Sequence, residues 1–161
     1  AQGLKLAYKS SSFRKEMSNW INNNLSDRKE GIHGYAFRLP TLLSLIFPSL
    51  VRSFDMGVIV SKINYRSAAT ASFVGIISAD KDSKRNWLDV GRMAQRALLN
   101  LQSHGLSSSI FVSSIEMGDL YKQVKKIIKT NNRPQFLFCG GYMDGEQKKT
   151  PRHSIDDKII Q

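Results

Sequence analysis

The chain is poor in the residue types around which many activities are built. Its 161 residues hold one cysteine, three histidines and only 13 acidic side chains. A lone cysteine, Cys139, excludes an internal disulfide and suits a reducing cytoplasm. Lying in the apolar run FLFCGG, it reads as a small buried hydrophobe. His33, His104 and His153 are scattered, so no metal-ligand spacing is present. There is no Gly-x-Ser-x-Gly elbow and no Walker-type glycine-lysine loop, which removes the familiar starting points for a serine hydrolase or a P-loop enzyme. The longest apolar stretch, LPTLLSLIFPSLV from Leu39 to Val51, carries two prolines and is shorter than the roughly 20 residues a membrane helix needs. No membrane span is expected. The start, AQGLKLAYKSSSFRKEM, has neither an initiator Met nor a signal-peptide pattern, so the chain reads as an excised piece or a processed product.

What is abundant is positive charge. With 24 basic residues the formal net charge is +11, a value open to nucleic acid, an anionic cofactor or an acidic surface. The basic residues are spread along the chain, and the only dense run is Lys122, Lys125, Lys126 and Lys129. In a helix these surround the polar side of the stripe Leu120, Val124, Ile127 and Ile128, the pattern of a solvated face. No aromatic side chains alternate with them as stacking platforms, which argues against nucleic-acid binding.

The hydrophobic content of 41% and the length suit one domain with a sizeable core. FRKEMSNWINNN spaces Phe13, Met17, Trp20, Ile21 and, at its end, Asn24 as an amphipathic helix ending in an asparagine cluster. The polar connection SDRKEGIHGYAFRLP follows. Leu39 to Val51 is a short helix or covering loop broken by Pro48, with core, lid and partner surface all open. ASFVGIISA, from Ala71 to Ala79, reads as a buried strand. NWLDVGRMAQRALLNLQSHG predicts a long central helix with Trp87, Val90, Gly91, Ala94, Ala97, Leu98 and Leu101 facing that strand. Asn86 is its expected N-cap, and Gly105 its left-handed end. LSSSIFVSS is a short extended piece. The spacing of Ser113 and Glu116 predicts a capping box opening a second helix. NNRP stops that helix, and PQFLFCGGY is a second apolar strand. The order implies an α+β arrangement, helices covering a small sheet.

Two segments remain as candidates for chemistry. SSSIFVSS offers backbone N–H groups and hydroxyls between two helices, and TPRHS offers a guanidinium suited to bidentate phosphate binding. Composition alone makes the first a connecting loop and the second a surface arginine. GGYMDG lacks GxGxxG spacing and reads as a turn.

The order of pieces adds a resemblance. FRKEMSNWINN, DRKEGIHGYA, WLDVGRMAQRALLNLQSHGLSSSIF, EMGDLYKQVKKI, RPQFLFCGGY and TPRHSIDDKI together resemble the C-terminal half of NAD(P)H nitroreductases of the two-lobed, Acg-like kind, over about residues 13 to 160. The resemblance implies the FMN-dependent nitroreductase-like α+β fold, a small sheet wrapped by helices. Residues 1–161 would then form a single lobe, the C-terminal half or domain of a longer protein. It also implies that the segment from Ser107 to Ser114 lines the flavin ring with backbone atoms, through Ser109, Val112 and Ser113. Arg152 would pair with the flavin phosphate, and His153 would be a weaker, pH-dependent partner. The family's upstream flavin-binding pieces have no counterpart in these residues.

The implied function is an FMN-binding oxidoreductase lobe, passing hydride from NAD(P)H through flavin to a small electron-poor acceptor. The flavin would carry the chemistry, so no catalytic side chain is assigned. The lobe would be incomplete without a missing N-terminal lobe or a homodimer partner. The alternative is a flavin-sequestering or degenerate, partner-binding module without turnover; a basic nucleic-acid-binding domain is third.

Overall fold

The computed structural model describes residues 1–145 and 148–159. In chain order the helices are α1 (Gln2–Lys9), α2 (Ser11–Trp20), α3 (Thr41–Ser53), α4 (Gly57–Ala69), α5 (Lys84–Ser103), α6 (Ser113–Glu116) and α7 (Leu120–Ile127). The strands are β1 (Ile21–Asn22), β2 (Ile32–His33), β3 (Phe73–Ala79), β4 (Ser107–Ile110) and β5 (Arg133–Gly141). The fold is mixed α+β. Two compact units divide it: Ala1–Ala7 with Gly57–Asp144, and Tyr8–Met56 with the described residues from Gly145 onward.

The first unit is built on a three-stranded antiparallel sheet, ordered β3-β5-β4. Two glycine–aromatic pairs define its register. Phe73 lies opposite Gly140 and Phe138 opposite Gly75, and a Cβ on either glycine would run into the facing ring. The two rings meet edge to face with centroids 6.2 Å apart. Each ring thus occupies the space its partner's missing side chain leaves, and a slip of one residue would put both rings on the wrong face. Gly140 and Gly141 are therefore strand residues, opposite Ser108 and Ser107, where the sequence suggested a turn. Pro134 sits in the central strand without an N–H to give, and the register shifts beside it, between Ile77 and Ser78. β3 lies at a sheet edge and its Val74 is exposed, so it is less buried than its apolar run suggests.

α5 packs on all three strands, burying Val90 and Ala94 with Ala97, Leu98 and Leu101 half-buried. Ser83, not Asn86, caps it: the Ser83 hydroxyl accepts from the Asn86 N–H at 3.3 Å. The Asn86 amide donates instead to Asp80 Oδ1 and the Lys81 carbonyl. Gly105 has φ +73°, as the expected left-handed end requires. Two members of the predicted stripe are not buried. Trp87 sits in the first turn, half-exposed, and Gly91 has nothing near its missing side chain.

The second predicted helix is two pieces. Gly118 has φ +54°, a conformation through which no right-handed helix runs, so α6 ends and α7 begins around it. No capping box forms, because Val112 rather than Ser113 holds the cap position and no side chain accepts there. α6 and α7 pack on β5. Ile127, expected in the apolar stripe of α7, is exposed.

In the second unit α2 packs on α3, starting where the Ser10 hydroxyl accepts from the Phe13 N–H. α2 ends at Trp20, earlier than the sequence suggested: Ile21, expected on the helix, is extended and begins β1. The Asn24 N–H then donates to the Ser44 hydroxyl at 2.9 Å, and its amide to the Leu39 carbonyl at 2.9 Å. α3 runs through Pro48 without interruption and buries Ser44, Phe47 and Val51. β1 and β2 form a two-residue parallel ladder, Ile21 with Ile32 and Asn22 with His33. Among the described residues no single helix is long and apolar enough to cross a membrane; α3 and α4 reach that length and hydropathy only when taken together.

Candidate functional site

The sequence singled out Ser109, Val112, Ser113, Arg152 and His153. The first three belong to the first unit and the last two to the second.

Ser109 is exposed on β4, paired in register with Cys139 of β5. After β4 the Phe111 N–H still donates to the Leu137 carbonyl at 2.9 Å, which carries the chain off the sheet in a fixed direction. Val112 and Ser113 then turn into α6. The Val112 carbonyl accepts from Ile115 and Glu116, and the Ser113 carbonyl from Met117. The Ser114 hydroxyl donates back to the Phe111 carbonyl at 3.2 Å. Ile115 is buried and anchors the turn. The segment is therefore a stiff corner with its carbonyls engaged. α1 adds to this: Gly3 is buried against the backbone of Ser113 and Ser114, where a Cβ would collide with the Ser113 carbonyl. Across the ladder from Ser109, burial pushes the Cys139 thiol pKa up, so the thiol is protonated and inert near neutral pH.

In the second unit the tail runs beside residues 29–35. The Tyr35 hydroxyl donates to the Lys149 carbonyl at 3.4 Å, and the Lys148 ammonium lies 4.5 Å from the Tyr35 ring centroid. His153 Nε2 is 2.9 Å from Glu30 Oε1, and Lys29 reaches Asp157 at 4.0 Å. The Glu30 carbonyl is held in turn by the Asn22 amide at 2.6 Å. These contacts order the tail.

Arg152 is exposed and is arranged differently from its neighbour. Its Nη1 donates to the carbonyls of Thr150 and Pro151, each at 3.3 Å, and to the Thr150 hydroxyl. No carboxylate is paired with it among the described residues. One nitrogen of the guanidinium is thus held on its own turn by neutral acceptors.

Sequence reasoning missed Glu30, and no sequence signal joins it to His153, which lies 123 positions away. It also gave no role to His33, which is buried, stacks on Tyr35 with centroids 5.1 Å apart, and places Nε2 3.0 Å from the Ser26 carbonyl. A buried imidazole tied to a backbone carbonyl and a stacked ring holds the loop that presents Glu30. No family model, no curated protein and no solved structure matches this chain.

Proposed function

We propose that this chain is an FMN-binding, nitroreductase-like oxidoreductase lobe. The single observation that carries the reading is Arg152: a basic residue at the position where the resemblance places the phosphate partner, held on its own turn and paired with no carboxylate among the described residues. A phosphate dianion would complete that site with charge-assisted hydrogen bonds. His153 fits less well, because Glu30 already accepts from it, and a carboxylate there opposes a nearby anion.

FMN would supply the hydride chemistry, accepting from NAD(P)H and giving to a small electron-poor acceptor. Arg152 would hold the phosphate. The internal hydrogen bonds of the corner at Val112 and Ser113, which the resemblance assigns to the flavin ring, keep that corner rigid. No residue is asked to act as acid, base or nucleophile, in keeping with the inert Cys139.

The lobe would be incomplete alone. Leu42, Ile46, Phe54, Val58, Ile59 and Ile63 are all more than half exposed. In α4 the polar Ser61 is buried while Val58, Ile59 and Ile63 face outward. Apolar exposure on this scale marks surfaces meant for a partner, here the absent N-terminal lobe or a second copy. The purified chain is therefore expected to carry little flavin and to reduce nitroaromatics poorly with NAD(P)H. Visible absorption before and after addition of FMN tests this. The chain as purified should show little flavin absorbance and should gain a red-shifted, structured band only when FMN is added in excess; stoichiometric flavin as purified would refute the incompleteness, and an unchanged spectrum at saturating FMN would refute the flavin site.

A further inference from the structure

β3 is an edge strand whose outer side has unmet hydrogen-bonding groups. The Phe111 N–H donates to the Leu137 carbonyl, on the β4 side of β5. In an antiparallel ladder a residue sends its N–H and C=O to the same side, and successive residues alternate. Leu137 therefore faces β4, while Phe136, Phe138 and Gly140 face β3. Their opposites are Ile77, Gly75 and Phe73, so these three point their main-chain groups inward. Val74 and Ile76 turn theirs outward. Among the described residues no donor or acceptor meets them.

Main-chain groups at this spacing select an extended strand as occupant. From Ala71 to Ala79 the sequence has no charge and no proline, two devices that commonly blunt an edge. The register shift between Ile77 and Ser78 comes only after the outward pair. A foreign strand would have to be chosen by side chains, and this stretch carries no charge to choose with. Its own sequence fits it. A two-fold axis normal to the sheet and beside Gly75 sets Gly75 against its equivalent at a non-hydrogen-bonded position, where chains come closest. Val74 then lies opposite Ile76 of the second copy, and Ile76 opposite Val74, each pair exchanging both hydrogen bonds. Branched side chains meet directly, a favourable cross-strand pairing. At the ends Thr70 comes opposite Asp80, so no like charges oppose. The helices leave room. α5 packs on all three strands and so lies over the central one, β5, three strand spacings or roughly 14 Å from its twin. Packed helices need about 8–10 Å. We infer that two copies of this chain join β3 to β3, antiparallel, into one continuous sheet. The contact uses none of the exposed apolar residues of α3 and α4.

Amide hydrogen exchange read by NMR tests the contact residue by residue, with sedimentation reporting mass. A strand edge this short makes a weak dimer, so concentrations of roughly 10 µM and 1 mM bracket it. At the higher concentration the Val74 and Ile76 amides should exchange at least about tenfold more slowly. Gly75 and Ile77, already bonded within the sheet, should change far less. Val74→Pro removes an outward N–H and leaves the inner ladder its donors. It should stay monomeric at the higher concentration with Gly75 and Ile77 still protected. Val74→Lys sets a charge against Ile76 of the second copy without altering the backbone, and should weaken the dimer too. If Val74→Pro fails to fold, Val74→Lys and the wild-type exchange decide. Equal exchange of Val74 and Ile76 at the two concentrations overturns the inference. So does a dimer that survives these substitutions, because its contact would then lie elsewhere.

Discussion

Gly3 of α1 is seated on the Ser113 carbonyl so closely that a methyl group has no place between them. The obstacle is backbone, not the end of a flexible side chain, so the helix or the corner must give way. Gly3→Ala is expected to lower stability by about 1–3 kcal/mol, the range for overpacking. Chemical denaturation measures this. An unchanged midpoint would show that α1 is not seated there.

The glycine–aromatic pairs of the sheet give a second prediction. Gly140→Val places a branched side chain where the Phe73 ring lies, and the ring cannot leave without giving up its edge contact with Phe138. Val is otherwise a good strand residue, so propensity alone predicts a gain. We expect a loss of at least 1 kcal/mol, on the order of other overpacked sites. Stabilisation would mean that the ring is not fixed by the register.

Two buried groups set the behaviour in alkali. Burial raises the pKa values of both Tyr8 and Cys139. Each group is therefore easier to ionise in the unfolded chain. The stability this gives is fully present below the unfolded values, about 8.5 for Cys and 10 for Tyr, and is lost as pH rises through the higher folded values. Thermal melting from neutral pH upward should show Tm falling, with the fall reduced in Tyr8→Phe. At neutral pH Cys139 should react slowly with a thiol reagent until denaturant is added. Fast reaction of the folded chain would contradict its burial.

Much of the first unit was legible in its sequence, because its signals are local. The period of Val90, Ala94 and Leu98, the left-handed Gly105 and the two apolar strands all act within a few residues of themselves. What was not legible depends on tertiary context. Ser113 and Glu116 have capping-box spacing, yet Gly118 two residues on breaks the helix such a box would open. α4 gave no usable pattern, since it buries Gly57 and Ser61 and turns its branched residues outward. Of the candidate site, Arg152 and the corner at 112–114 were visible as residue types. The Glu30 partner of His153 was not, because long-range pairing leaves no trace in spacing.

That partner yields a further prediction. Glu30→Gln removes the carboxylate that holds His153. As a partly exposed pair it should contribute at most about 1 kcal/mol to stability. If the tail binds a flavin phosphate, FMN affinity should rise in this variant, since a competing anion is gone and a histidine donor is released. Lower affinity would mean that the pair positions the tail for binding.

The most direct measurement compares FMN with riboflavin, which differs from it by the phosphate alone. Both are titrated by flavin fluorescence against the wild-type chain, Arg152→Ala and Arg152→Lys. The wild type should prefer FMN. Arg152→Ala should weaken FMN by about 1.5–3 kcal/mol, the scale of a charged hydrogen bond, and leave riboflavin nearly unchanged. Arg152→Lys should fall between, keeping the charge but losing the planar fork. Equal affinity of the wild type for the two flavins, or equal losses for both in Arg152→Ala, would contradict the phosphate role and with it the proposed function.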